Sequence, residues 1–295
     1  MTPIEIEVYK HYLDLMGNPS NRVESQETTA DALIEKYEAF FFDAFGTLFN
    51  RKGYVYPGAL EFMQKLKAAG KHVRMVTNAA TNTAFKVSED MKNMGFEVPP
   101  EHIFSSGRYV LEFQKKYGFK EVFYAGRPGG VQMLNDFGIA AVENPEIPVV
   151  AFCSTEPSEE RLKHAEEILS RPGAVLLILN PDACAPELDG SRSEVSGIQS
   201  YRIWKRTCCK YEICGKPFKG SFDDAIESVR KERVAMGLPN ARIIMFGDTL
   251  GTDVAGAYVA GVDSCLVMGR NMRRETFDND CLELGFTPNY IIDSF

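Results

Sequence analysis

The stretch FFFDAFGTLF, Phe40 to Phe49, sets three phenylalanines before a single acid, Asp43, then a glycine-containing turn and a second apolar pair. Four to eight apolar residues bounded by turn signals read as a buried strand. The sequence AFFFDAF is therefore expected to be a strand with a carboxylate at its end. The same arrangement recurs downstream. HVRMVTN, His72 to Asn78, is a strand closing on Thr77 and Asn78, and ARIIMFGD closes on Gly247 and Asp248. HIFSSG and DSCLVMG complete the set of short strands.

Amphipathic segments lie between them. GALEFMQKLKAAG places Leu60, Met63 and Leu66 on one helical face and ends on Gly70. AFKVSEDMKNMG and DVAGAYVAG read as further helices. Strands alternating with helices at this spacing form βαβ units and a parallel sheet. The expected fold is α/β, a doubly wound Rossmann-like parallel sheet core with an inserted α/β cap domain. The insertion follows from the middle of the chain, where EVFYAG, PVVAFC and AVLLILN are strand-like and VQMLNDFG and EERLKHAEEILSRPG helix-like. That middle has enough residues for a small domain of its own. The expected division is 1–29 as an N-terminal extension, 30–108 and 213–295 as core, and 109–212 as cap. In the extension, TPIEIEVYKHYLDLMG reads as a helix stopping at Gly17, and ADALIEKYEAF as a helix leading into the first strand.

Composition narrows the function classes. The chain has 295 residues, net charge −8, and 44% hydrophobic residues, enough for a sizeable core. An acidic balance disfavours nucleic-acid and membrane-surface partners. The first residues show neither a basic leader nor a long apolar run, and the seven cysteines are expected as free thiols, so the expected location is cytoplasmic. Cys208, Cys209 and Cys214 lack the CxxC or histidine spacing of a zinc site, and none of the four histidines has metal-ligand spacing. Arg127, Arg192 and Arg202 are candidates for meeting an anionic substrate.

In a doubly wound sheet the ligand sits at the carboxyl ends of the strands. Asp43, Thr77, Asn78, Asp248 and Asp253 all fall at or just beyond such ends. Gathered carboxylates repel unless a cation joins them, and Asp43 with Asp248 suits a hard, oxygen-preferring ion such as Mg2+. Thr77 and Asn78 suit phosphate oxygens, and Lys216 in CGKPFKG adds positive charge. For one such acid, a turn-forming role is the simpler reading; for four strand ends of this kind it is not.

The motifs DAFGT, VTN, GKP and GDTLGTD resemble the four motifs of the haloacid dehalogenase superfamily. YPGALEFMQKLKAAGKHVRMVTNAATNT, MGFEVPPEHIFSSG, ILNPD and GDTLGTDVAGAYVAGVDSCLVMG are similar to its class IIA branch, which includes 4-nitrophenylphosphatases and pyridoxal-phosphate phosphatases. The resemblance runs from Ala30 to about Phe295 and implies a C2-type cap between the second and third motifs. It implies that Asp43 attacks phosphorus. Mg2+ would be held by Asp43, the Phe45 carbonyl and Asp248, with Asp253 supporting it. Thr77 and Lys216 would bind the phosphoryl group, and Asn180 and Asp182 of LNPD would lie near the substrate. It also allows a homodimer through the cap.

Phe45 departs from the pattern. Phosphatases of this family have a second Asp two residues after the nucleophile, which protonates the leaving group. A phenyl ring cannot, and general acid–base help is worth about 10²–10⁴-fold. The expectation is a Mg2+-dependent phosphatase of a small phosphorylated metabolite, slow or selective. The alternatives are a silent phosphometabolite binder and a metal-independent 2-haloacid dehalogenase, whose DAYGT also carries an aromatic at that position.

Overall fold

The structure is a computed structural model that describes every residue except Arg51, Leu188 and Lys219. Two parallel sheets organise the chain. Up to residue 105 it forms β1 (Gln26–Glu27), β2 (Ala39–Phe42), β3 (His72–Thr77) and β4 (Ile103–Ser105). Next come β5 (Glu121–Gly126), β6 (Ala140–Ala141), β7 (Val149–Cys153), β8 (Val175–Ile178), a short antiparallel ribbon of β9 (Cys184–Pro186) and β10 (Arg192–Glu194), and β11 (Lys210–Ile213). Last are β12 (Ile243–Gly247), β13 (Asp263–Val267) and β14 (Tyr290–Ile292). The first sheet has the order β1-β14-β13-β12-β2-β3-β4 and the second β11-β8-β7-β5-β6.

The helices are α1 (Pro3–Leu15), α2 (Ala59–Ala68), α3 (Ala84–Asn93), α4 (Val110–Tyr117), α5 (Pro128–Asp136), α6 (Glu159–Leu169), α7 (Ser196–Thr207), α8 (Gly220–Ala235), α9 (Ala255–Ala260) and α10 (Phe277–Leu284). Strand alternation assigns them to faces. Phe40 and Phe42 of β2 pack with Phe62 of α2 and Met91 of α3. Ala39 and Phe41 point the other way, onto Phe222, Ala225 and Val229 of α8 and Ala257 of α9. The second sheet repeats the scheme. Val122, Tyr124 and Ala151 face Val110 of α4 and Met133 of α5, while Phe123, Val150 and Phe152 face Ile168 of α6 and Ile203 of α7. This is the helix-covered parallel sheet that the alternating pattern implies.

Two local expectations differ from the structure. ADALIEKYEAF forms only a 3-10 turn at Asp31–Leu33. Glu38 and Ala39 N–H already donate to the Arg242 carbonyl, so the chain must enter β2 in register at residue 39 and has no room for more helix. DVAGAYVAG is regular only from Ala255; Leu250–Val254 is a π-turn. The Asp253 carboxylate causes this by accepting the Asp248 and Thr249 N–H groups, at 3.0 and 3.1 Å, which widens the first turn. In the N-terminal segment, α1 does end before Gly17, and β1 pairs with β14 as an edge strand of the first sheet.

Candidate active site

The strand order reverses between β2 and β12, which are neighbours in register with Phe42 opposite Phe246. The residues after them, Asp43 and Asp248, emerge side by side at the point where such sheets open a crevice. Carboxylate oxygens of Asp43, Asp248 and Asp253 all lie within 4.8 Å of one another, and all three residues are buried. Glycines permit this approach. A Cβ on Gly46, whose φ is +95°, would stand 2.2 Å from Asp248 Oδ2, and one on Gly247 would meet the Asp253 carboxylate.

One cation faces the three acids. Lys216 Nζ donates to Asp43 Oδ1 at 2.5 Å and lies 2.7 Å from Asp253 Oδ1, with its side chain 2% exposed. Burial pulls the ammonium down, but Asp253 and Asp43 outweigh it and hold it above its usual range. The acids remain in excess. Burial, with the neighbouring charges of Asp253 and Asp182 and against the pull of Lys216, pushes Asp43 up to about 7. Burial, with Asp253 and Asp43, raises Asp248 well above the ordinary carboxylate range. Asp248 Oδ1 accepts from Thr249 Oγ1 at 3.0 Å, but Oδ2 is buried with no hydrogen-bond partner among the described residues. An orphaned carboxylate oxygen inside a cluster of negative charge is what a divalent cation with oxygen ligands satisfies. The donor set fits such an ion.

The remaining candidates separate by what they touch. Thr77 is 2% exposed and its hydroxyl accepts from Ala79 N–H at 3.3 Å, leaving its proton free to donate. Asn78 is spent on structure. Its Nδ2 donates to Asp182 Oδ1 at 2.7 Å and to the Lys216 carbonyl at 3.1 Å, and its Oδ1 accepts Lys216 N–H at 2.8 Å. It therefore positions Lys216 and ties the LNPD loop to the first sheet, and its side chain has no donor left for phosphate. Asn180 Oδ1 accepts Asp182 N–H at 2.9 Å, shaping that loop. Asp43, Thr77, Asn180, Asp182, Lys216, Asp248 and Asp253 all line one cavity of about 440 Å³ between the two sheets.

Phe45 is 38% exposed at the mouth of this cavity, its ring edge-on to Phe49 at 5.0 Å. Met91 and Met94 continue the apolar side. Of the three arginines, Arg127 lines the cavity. Arg192 instead pairs with Glu5 at 3.0 Å, and Arg202 with Glu194 at the surface. Sequence reasoning missed Thr249 and Asn271. Asn271 Nδ2 donates to Thr249 Oγ1 at 2.9 Å, which in turn holds Asp248. Only the T after GD in GDTLGTD hinted at this chain.

Comparison with known proteins gives the family. A family model of haloacid dehalogenase-like hydrolases matches residues 40–140, and a second model of HAD-like hydrolases matches 213–295. The chain belongs to the haloacid dehalogenase-like hydrolases, in their class IIA phosphatase branch. It is 24% identical to a 4-nitrophenylphosphatase of Schizosaccharomyces pombe over 88% of this chain and 93% of that one. It is 26% identical to a dihydroxyacetone phosphatase of Corynebacterium glutamicum over 83% and 84%. In structure it matches a "possible sugar phosphatase" of Cytophaga hutchinsonii with TM-score 0.81 and 24% identity, over 92% of this chain and 98% of that one. This hydrolase keeps both family regions, and β7 to β10 lie between them.

Proposed function

We propose that this hydrolase is a Mg2+-dependent phosphatase of a small phosphorylated metabolite, working through an aspartyl phosphate on Asp43 and selective for substrates with good leaving groups. One observation carries the reading: three buried carboxylates converge at the sheet's reversal point, two of them paired with one lysine and an oxygen of the third, Asp248, left unpartnered among the described residues. Asp43, Asp248 and the Phe45 carbonyl would hold the ion, which when bound neutralises charge on the phosphoryl oxygens. Asp253 orients the turn that carries Asp248.

The first step forms a bond from the Asp43 carboxylate to phosphorus and breaks the ester P–O bond, whose electron pair leaves with the alcohol or phenol. Lys216 and the Thr77 hydroxyl face the transferring group and stabilise its charge. Water then bonds to phosphorus as the aspartyl P–O bond breaks, its electron pair returning to the Asp43 carboxylate, and the water's protons leave with the released phosphate. Phe45 offers the leaving oxygen no proton. Phenols and other stable anions depart without one, and the apolar wall of Phe45, Phe49, Met91 and Met94 accommodates an aryl or other apolar portion. Residues 109–212 serve as a cap over the cavity, presenting Asn180 and Asp182 to the substrate.

The test is phosphate release from 4-nitrophenyl phosphate with Mg2+ and with EDTA, using Asp43→Asn as the blank. Metal-dependent release absent from the blank is expected. Retained Mg2+ and phosphate binding with no release above the blank would make the protein a binder. Halide release from a 2-haloacid in EDTA would make it a dehalogenase.

A further inference from the structure

Helix α1 lies outside both family models, the first of which begins at residue 40 and the second at residue 213, yet it touches the site from behind. Its Tyr9 is fully buried. The ring packs against Gly251, in the π-turn that follows Asp248 and contains Asp253; a Cβ at that glycine would come within 2.2 Å of the ring. The Tyr9 hydroxyl accepts Ala183 N–H at 3.1 Å, next to Asp182. One side chain thus spans the turn that carries two of the acids and the loop that carries Asp182. Four residues earlier, buried Glu5 pairs with Arg192 of β10, which donates to the Asn271 carbonyl at 3.0 Å. Asn271 is the residue that holds Thr249 against Asp248.

We propose that α1 is a strap whose Tyr9 and Glu5 are positioning residues, holding the Asp182 loop of the inserted segment in register with the Asp248–Asp253 turn. The two loops come from different sheets, and such junctions move by default unless a large contact fixes them. The strap supplies a contact to both. Val8, Tyr12 and Leu13 bury the rest of its inner face against Leu250, Ile198 and Leu284, from the turn, α7 and α10. A positioned loop matters because an offset of about 1 Å at a reacting group costs on the order of 100-fold in rate.

Removing α1 would strip this apolar face and unfold its surroundings, so the test changes single atoms. Tyr9→Phe keeps the ring on Gly251 and deletes the acceptor of Ala183 N–H. Tyr12→Phe on the same helix deletes a hydroxyl with no partner among the described residues and serves as the control. The kinetic readout rests on the phosphatase reading; amide exchange at residues 180–184 does not. For Tyr9→Phe we expect faster exchange there and a drop on the order of tenfold in kcat/KM for 4-nitrophenyl phosphate, part of the roughly 100-fold that an offset of about 1 Å at a reacting group costs. For Tyr12→Phe we expect neither change. A Tyr9→Phe protein with parental kcat and KM, differing only in its unfolding midpoint, would reduce α1 to scaffolding and overturn the proposal. So would unchanged exchange at 180–184. If the parent shows no turnover above Asp43→Asn, the phosphatase reading fails, and the exchange result alone decides the strap.

Discussion

Strand β3 carries buried polar groups at both ends, and the two ends behave oppositely. At its start Arg74, 1% exposed, pairs with Glu232 of α8 at 2.7 Å and donates to Ser228 Oγ at 3.0 Å. His72 and His102 close on the same glutamate, both at 2.9 Å. The charges balance. Burial pushes Glu232 up, but Arg74 and His72 push harder, and its carboxyl falls to about 2. At the far end, beyond Thr77, three acids face one lysine and an oxygen is left over. Both ends bury charge, but only at the far end do the acids outnumber the cation that meets them. A charge-balanced cluster braces a helix on a sheet; one with acids in excess suits a cation.

The contrast breaks most easily at the end with acids in excess. Asp248→Asn should lower Mg2+-dependent turnover by about 10²–10³-fold or more while leaving the unfolding temperature unchanged or raised, because it removes a repelled charge. Parallel loss of activity and stability, measured by assay and calorimetry, would make the two ends alike. Phe45→Asp should come next. Restoring a proton donor should speed hydrolysis of an alkyl phosphate at least about tenfold more than an aryl one, within the usual worth of acid catalysis. Equal effects on both esters would sink the account of Phe45.

Glu232→Gln should do the reverse of Asp248→Asn. It strands Arg74, costing about 1–2 kcal/mol of stability because Glu232 is partly solvated, and leaves kcat and KM alone. The smallest effect is in pH dependence, and its sign differs between the ends. Glu232 has a depressed folded pKa, so its stabilisation is present above the ordinary carboxylate range and lost as pH falls toward about 2. Asp43 has a raised one, so without a divalent ion stability falls as pH rises from about 4 to about 7. Urea midpoints in EDTA across this range should lose the second slope in Asp43→Asn and the first in Glu232→Gln.

Much of this protein could be read along the chain. The βαβ alternation, and Asp43, Thr77 and Asp248 as strand-end groups, were legible because a strand's end is a local event: an apolar run stops and the side chain there points into the crevice. Phe45 was legible as a departure for the same reason, being two residues from Asp43. What required the tertiary structure was every pairing across the fold. The Asn78 side chain bonds Lys216 and Asp182, and Arg192 turns to Glu5. Arg74 looked like one residue of a strand until Glu232 came to it, and Tyr9 looked like one stripe of a helix until Gly251 lay beneath it. A sequence states which groups must leave water. Which partner then meets each of them depends on how separate elements pack, and no spacing along the chain encodes that.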